Sequence, residues 1–204
     1  MRTLGLLALI VISGCAGQLT AKDHAAATRK AMPGCKGGDA SACIEACEHS
    51  GPNDACDRAC KANSGASCAL LASRLEHEQD ADDADSPVRT IGPQDADEIT
   101  GLFERGCKLG HGPSCLQAGG RILNGQGRGN RTPALAVDLL KAGCEKHKDG
   151  QACCAMAQLN ARLAQGKSAN TITDFDQEAK RWQKVAERRG TECTLEPTPA
   201  PAAP

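Results

Sequence analysis

The chain has 204 residues, thirteen cysteines, a formal net charge of −1, one tryptophan, two phenylalanines and no tyrosine. A near-neutral balance gives no electrostatic case for nucleic-acid binding, and so few rings exclude a core built on aromatic packing. The length suits one domain or a short repeat array. Alanine, leucine, glycine and cysteine must fill its interior, with covalent cross-links compensating for a thin core.

At the start, Arg2 precedes a nearly unbroken apolar run from Leu4 to Ile12. That run is too short to span a bilayer as a helix and has the length of a signal-peptide core. It ends in Ile12-Ser13-Gly14-Cys15, which resembles the lipobox of bacterial lipoproteins. The resemblance implies that residues 1–14 are a signal peptide and that Cys15 carries lipid after cleavage. It also implies a lipid-anchored protein of the bacterial cell envelope. Ala16, rather than Asp, follows the cysteine, which implies the outer membrane, facing the periplasm. Residues 15–32 are expected to be the lipidated N-terminus and a tether, with a short helical stretch around Ala25–Ala31. Export places the remaining twelve cysteines in an oxidising space, and an even number is compatible with six disulfides.

Residues 33–195 are expected to form one cysteine-rich domain. Cys35 and Cys43, Cys60 and Cys68, and Cys107 and Cys115 are each eight apart, and Cys144 and Cys153 are nine apart. In "CIEACEHSGPNDACDRAC" (43–60), Cys43 and Cys47 share one helix face, and Cys56 and Cys60 another. Two nested bridges, Cys43–Cys60 and Cys47–Cys56, would suit an antiparallel hairpin there. A four-thiolate zinc site would need a reducing compartment, so no metal is expected. Residues 76–98 hold nine acids against one arginine. As a calcium loop they fail: Asp80 and Asp82 fit the first two ligand positions, but Ala84 and Ile91 fall where later ligands belong. A solvated acidic loop insertion is the expectation.

Residues 114–154 read as two helices. The first runs from Cys115 to Leu123 and is stopped by Asn124-Gly125-Gln126-Gly127. Thr132-Pro133 begins the second, with threonine as N-cap and proline in the first turn, and Cys144 ends it. Leu135, Leu139 and Leu140 lie on one face. The glycine-rich loop lacks the GxGxxG order and the preceding strand of a phosphate cradle. The tail "EPTPAPAAP" (196–204) is expected to be disordered.

Cys115, Gly119, Gly125, Gly127, Ala136, Leu139 and Cys144 give this stretch its character, and it resembles the cysteine-rich form of the Sel1-like repeat, a relative of the tetratricopeptide repeat. Leu116, Ile122 and Leu140 stand where that family usually has tyrosine. The resemblance covers 93–165 best, 30–78 less well, and little beyond 166. It implies an all-α fold, a short right-handed α/α solenoid of helical hairpins clipped by disulfides. It also implies that paired cysteines join the second helix of one repeat to the first helix of the next. For 35–68 this gives Cys35–Cys43, Cys47–Cys56 and Cys60–Cys68, beside the nested alternative. Elsewhere it gives Cys107–Cys115 and Cys144–Cys153, and Cys154 and Cys193 pair by elimination.

None of the five histidines, His24, His49, His77, His111 and His147, forms a His-x-His or His-x-x-x-His ligand pair. His111 and His147 occupy the same repeat phase and read as polar residues of exposed turns. Some cysteine-rich Sel1-like proteins are described as penicillin-binding with weak β-lactamase activity. This chain has no Ser-x-x-Lys tetrad and no histidine cluster for that chemistry. No catalytic residue, metal or cofactor is therefore expected, although Ser114 beside Cys115 would be the serine to examine. The affirmative reading is a scaffold whose concave surface binds an envelope protein or peptide, with the membrane reached through the lipid anchor.

Overall fold

The computed structural model describes residues 20–49, 51–81, 93–127, 131–165 and 169–195. The signal segment, Cys15, residues 82–92 and the 196–204 tail lie outside the described residues. Among the described residues the chain is all-helical. The helices are α1 (Ala21–Lys36), α2 (Ala40–Glu48), α3 (Asn53–Lys61), α4 (Gly65–Ala81), α5 (Pro93–Lys108), α6 (Gly112–Leu123), α7 (Pro133–Glu145), α8 (Gly150–Gln165) and α9 (Ala169–Arg188). Neighbours pack as helical hairpins, and helices two apart also touch, α6 on α8 and α5 on α7 among them. None of the described helices is long and apolar enough to cross a membrane.

Five junctions share one construction. Disulfides join Cys35–Cys43, Cys47–Cys56, Cys60–Cys68, Cys107–Cys115 and Cys144–Cys153 across the turns α1/α2, α2/α3, α3/α4, α5/α6 and α7/α8. For 43–60 the arrangement is thus the serial one and not the nested one. Each turn is closed by a backbone N–H that donates to the carbonyl just before the first cysteine: Asp39 to Gly34, Gly51 to Ala46, Ser64 to Ala59, His111 to Gly106 and Asp149 to Gly143. In the three eight-residue clips, the third residue after the first cysteine has positive φ: Gly38 (93°), Asn63 (69°) and Gly110 (94°). This is the left-handed residue that ends a helix in a Schellman turn. The next residue starts the following helix at once. Asp39 Oδ1 accepts from the N–H groups of Ser41 and Ala42, and Ser64 Oγ from that of Ser67. Four residues further, in the first turn of the new helix, comes the second cysteine. That sequence of steps is why the spacing is eight. In the α7/α8 turn the left-handed position falls one residue later, at Lys148 (φ 60°), and the spacing is nine.

The residues preceding the cysteines are as constrained as the cysteines. Small residues face each other in pairs across these turns: Gly34 and Ala42, Gly106 and Ser114, Gly143 and Ala152. A β-carbon on Gly106 would lie 2.4 Å from Ser114 Oγ, and one on Gly143 would lie 2.9 Å from the β-carbons of Ala152 and Cys115. The helices cross with no space for a larger side chain.

Sequence expectations fail at three element boundaries. The helix within 15–32 is longer than the short stretch expected around Ala25–Ala31. The Thr20–Asp23 capping box opens α1, which continues through Pro33 to Lys36. Pro33 has no N–H to give the carbonyl of Arg29 one turn earlier, and the helix closes soon after it, where Gly37 N–H donates to the Pro33 carbonyl. Segment 76–98 is not wholly an inserted loop. α4 runs to Ala81 and α5 starts at Pro93, and acids from both ends of the insertion are held by cations. Glu76 pairs with Arg121, whose side chain is only 6% exposed, and Arg131 pairs with Asp97 and Glu104. α6 starts at Gly112, one turn earlier than the helix expected from Cys115. Thr132 does cap α7, its Oγ1 accepting from Leu135 N–H at 3.3 Å.

The core consists largely of alanine and cysteine, with Phe103 and Trp182 the buried rings. A sixth disulfide, Cys154–Cys193, ties α8 to the segment after α9. Two glycines separate packing from propensity. Gly143→Ala should destabilise the fold by about 1–3 kcal/mol through overpacking, despite alanine's better helix propensity. Gly120, inside α6, has nothing within 4 Å of where a β-carbon would sit. Gly120→Ala should therefore stabilise by roughly 0.5–1 kcal/mol. Thermal denaturation of the two variants should show shifts of opposite sign.

Candidate functional site

The packing of α6 on α8 leaves a groove between them. One part, about 140 Å3, is walled by Leu116, Leu123, Leu140 and Leu159, with Asn124, Gln158 and Arg162 as polar groups. A second part, about 240 Å3, continues past Leu116, Ala155 and Gln158, which line both, to Gln151, Thr191 and Glu192. Gln158 Nε2 also donates to the Thr194 carbonyl at 3.2 Å, so the segment after α9 borders the groove. Leu123 is 40% exposed at its rim. Gly119 and Gly120 have different tasks here. A β-carbon on Gly119 would lie 2.8 Å from Leu140 Cγ, so its absence lets α7 approach, while Gly120 leaves the groove open. Apolar walls with a few convergent amides are the usual chemistry of a peptide or small-ligand cleft.

Ser114, the serine that the sequence singles out, has a partner. Its Oγ lies 2.8 Å from His111 Nδ1, and Asp149 is close enough to influence His111 electrostatically. The residue types are those of a nucleophile, a base and an orienting acid. Their surroundings are those of a helix start. Ser114 is fully buried, with its hydroxyl packed against Gly106. Asp149 Oδ1 accepts from Ala152 N–H at 2.9 Å as the cap of α8. No substrate carbonyl can reach a hydroxyl sealed in this way, so the contact orders the α5/α6 turn. The expectation that His111 and His147 are merely polar residues of exposed turns is corrected. Both are half-buried between stacked junctions. Gly112, for example, is kept without a β-carbon by Asp149 and His147.

A nitrogen of His147 and the sulfurs of Cys107 and Cys115 lie within 4.8 Å of one another, the one such trio among the described residues. The sulfurs are bonded to each other and are not thiolate ligands. His24 and His49, which the sequence keeps apart, are brought into contact. The His111–Ser114 contact had a legible signal, an i,i+3 pair at a helix start. The His24–His49 contact had none. Compared with protein-family models, curated proteins and solved structures, the chain matches none.

The pKa of His111 is lowered from 6.5, first because burial disfavours its charged form; Asp149 opposes the shift. The unfolded chain therefore binds the proton more readily than the folded one, and stability rises with pH across that window. The contribution is complete above about 6.5 and is lost as pH falls through the lower folded value. Denaturation midpoints measured from pH 7.5 to 5 should fall, and His111→Asn should flatten the part of the slope that this histidine causes.

Proposed function

We propose that this protein is a binding scaffold of the bacterial cell envelope, using the α6/α8 groove to hold a protein segment or peptide. The groove is the observation that carries the reading. Its smaller part is walled by leucines and bordered by amides, its larger part is more polar, and both helices are fixed by disulfides, so a ligand meets a surface already ordered. Preorganisation of that kind reduces the ordering cost of association. The close fit of Gly119, Ala136 and Leu140 where α6 meets α7 supports the Sel1-like reading, since Gly119 and Ala136 are among the residues that carry the resemblance. Cys15, as a lipidated residue, would hold the groove near the outer membrane on the periplasmic side. The burial of Ser114 argues against the alternative, a penicillin-binding protein with weak β-lactamase activity.

Peptide-display selection on the purified, oxidised protein tests the reading. Selected peptides should bind saturably, and Leu123→Glu should weaken them about tenfold or more, equivalent to about 1.4 kcal/mol. Leu163 is 42% exposed and outside the groove lining, so Leu163→Glu should leave binding unchanged. Equal loss in both variants, or no saturable peptide, would contradict the groove. Turnover of a chromogenic cephalosporin that vanishes in Ser114→Ala while the fold persists would favour the hydrolase instead.

A further inference from the structure

The first hairpin places His24 of α1 beside His49, the residue that follows α2. Their Nδ1 atoms are 3.1 Å apart, with ring centroids 5.3 Å apart and planes inclined at 49°. Two neutral imidazoles hold this distance when one Nδ1 carries a proton and donates to the lone pair of the other. The same distance nearly suits two nitrogens on one metal. With metal–nitrogen bonds of about 2.0–2.1 Å, tetrahedral angles set the ligands about 3.3 Å apart. The two nitrogens point almost directly at each other, so a cation can replace the shared proton once the rings turn and both lone pairs converge on it.

The backbone under both rings is fixed before any ion arrives. The Thr20–Asp23 capping box sets the start of α1, and Thr28 Oγ1 donates to the His49 carbonyl at 2.6 Å. Cys35–Cys43 closes the α1/α2 turn, and Cys47–Cys56 anchors the chain two residues before His49. Gly51 is packed so closely on the Ala46 carbonyl that a β-carbon would lie 2.3 Å from it. Both rings line one open cavity of about 510 Å3, with Ala21, Ala25, Thr28 and Arg29 around them. The cavity leaves space for water to complete a coordination shell.

We propose that His24 and His49 form a two-imidazole site for a late first-row divalent cation, copper(II) or zinc(II). Imidazole suits both ions, and copper(II) is the tightest binder of the series. Each Nδ1 supplies one lone pair. The proton on the donor ring moves to Nε2 of the same ring, so both rings remain neutral. Asp23, adjacent to His24, adds a favourable negative charge, while Arg29 at the cavity wall opposes the ion. The site lies on α1 and α2, away from the α6/α8 groove, and does not depend on what the groove binds.

The full chain, disulfides intact, is titrated with copper(II) and zinc(II) by calorimetry, and the copper form is examined by electron paramagnetic resonance. The expected result is one bound equivalent, with hyperfine structure from two nitrogens. His24→Ala and His49→Ala should each weaken binding at least about tenfold, while His77→Ala and His147→Ala leave it unchanged. Circular dichroism checks the fold, and His24→Gln and His49→Gln serve where alanine loosens the hairpin. Undiminished affinity in the His24 and His49 variants overturns the site. So does copper held through another histidine, or no binding at about 0.1 mM ion, in which case the contact is a hydrogen bond alone.

Discussion

Where α7 meets α8, a β-carbon on Gly143 would lie 2.9 Å from that of Ala152, and the next residue of each helix is a bonded cysteine. That contact, a small residue and then a half-cystine on each of two helices, governs the molecule. It recurs with Gly34 and Ala42 and with Gly106 and Ser114, and the same order of small residue and cysteine stands at Ala46 and Ala55 and at Ala59 and Ser67. The small residues permit the close crossing, and the sulfur bridge holds it. The turn between has only enough backbone to end one helix and cap the next. Change the size of the small residue, and the sulfurs no longer meet without moving a helix.

The energetic consequence follows from composition. Leu140 and Ile99 are the largest fully buried side chains, and much of the remaining core is alanine and cystine. Such a core removes little apolar surface per residue from water. A clip that closes a loop of about nine residues contributes roughly 2–3 kcal/mol on the chain-entropy model. Five of them contribute on the order of 10 kcal/mol, similar to the whole stability of an ordinary domain. The helices between clips are thereby free to carry surfaces that packing alone would not sustain, including the groove of α6 and α8 and the half-exposed histidine pair of α1 and α2.

The all-helical hairpin architecture was legible through the resemblance that the cysteines and glycines of 115–144 carry, and α7 through its Thr132-Pro133 start and its Leu135, Leu139, Leu140 face. The latter are local signals whose physics is contained within one turn or one helix. The small residues before each cysteine were equally present in the sequence, but their meaning depends on the partner helix. Only the crossing shows that Gly106 and Ser114 must both be small. The same limit hid the ends of the acidic segment. Glu76 and Asp97 read as solvated charges until Arg121 and Arg131, at least 34 residues away in sequence, reach them. His24 and His49 are 25 residues apart and belong to no motif, so only the packed hairpin brings them together. The groove was beyond reach for a similar reason, since Leu116 and Leu159 belong to different hairpins.

The claim that turn clips, and not core burial, sustain this fold is tested most directly by native-state hydrogen exchange of oxidised and fully reduced, alkylation-blocked protein. The informative amides close the five turns: those of Asp39, Gly51, Ser64, His111 and Asp149. The account predicts slow exchange in the oxidised chain. After reduction these amides should lose protection together with the helices they join. Helicity and turn protection that survive reduction would contradict it, and would assign the stability to the alanine-rich core after all.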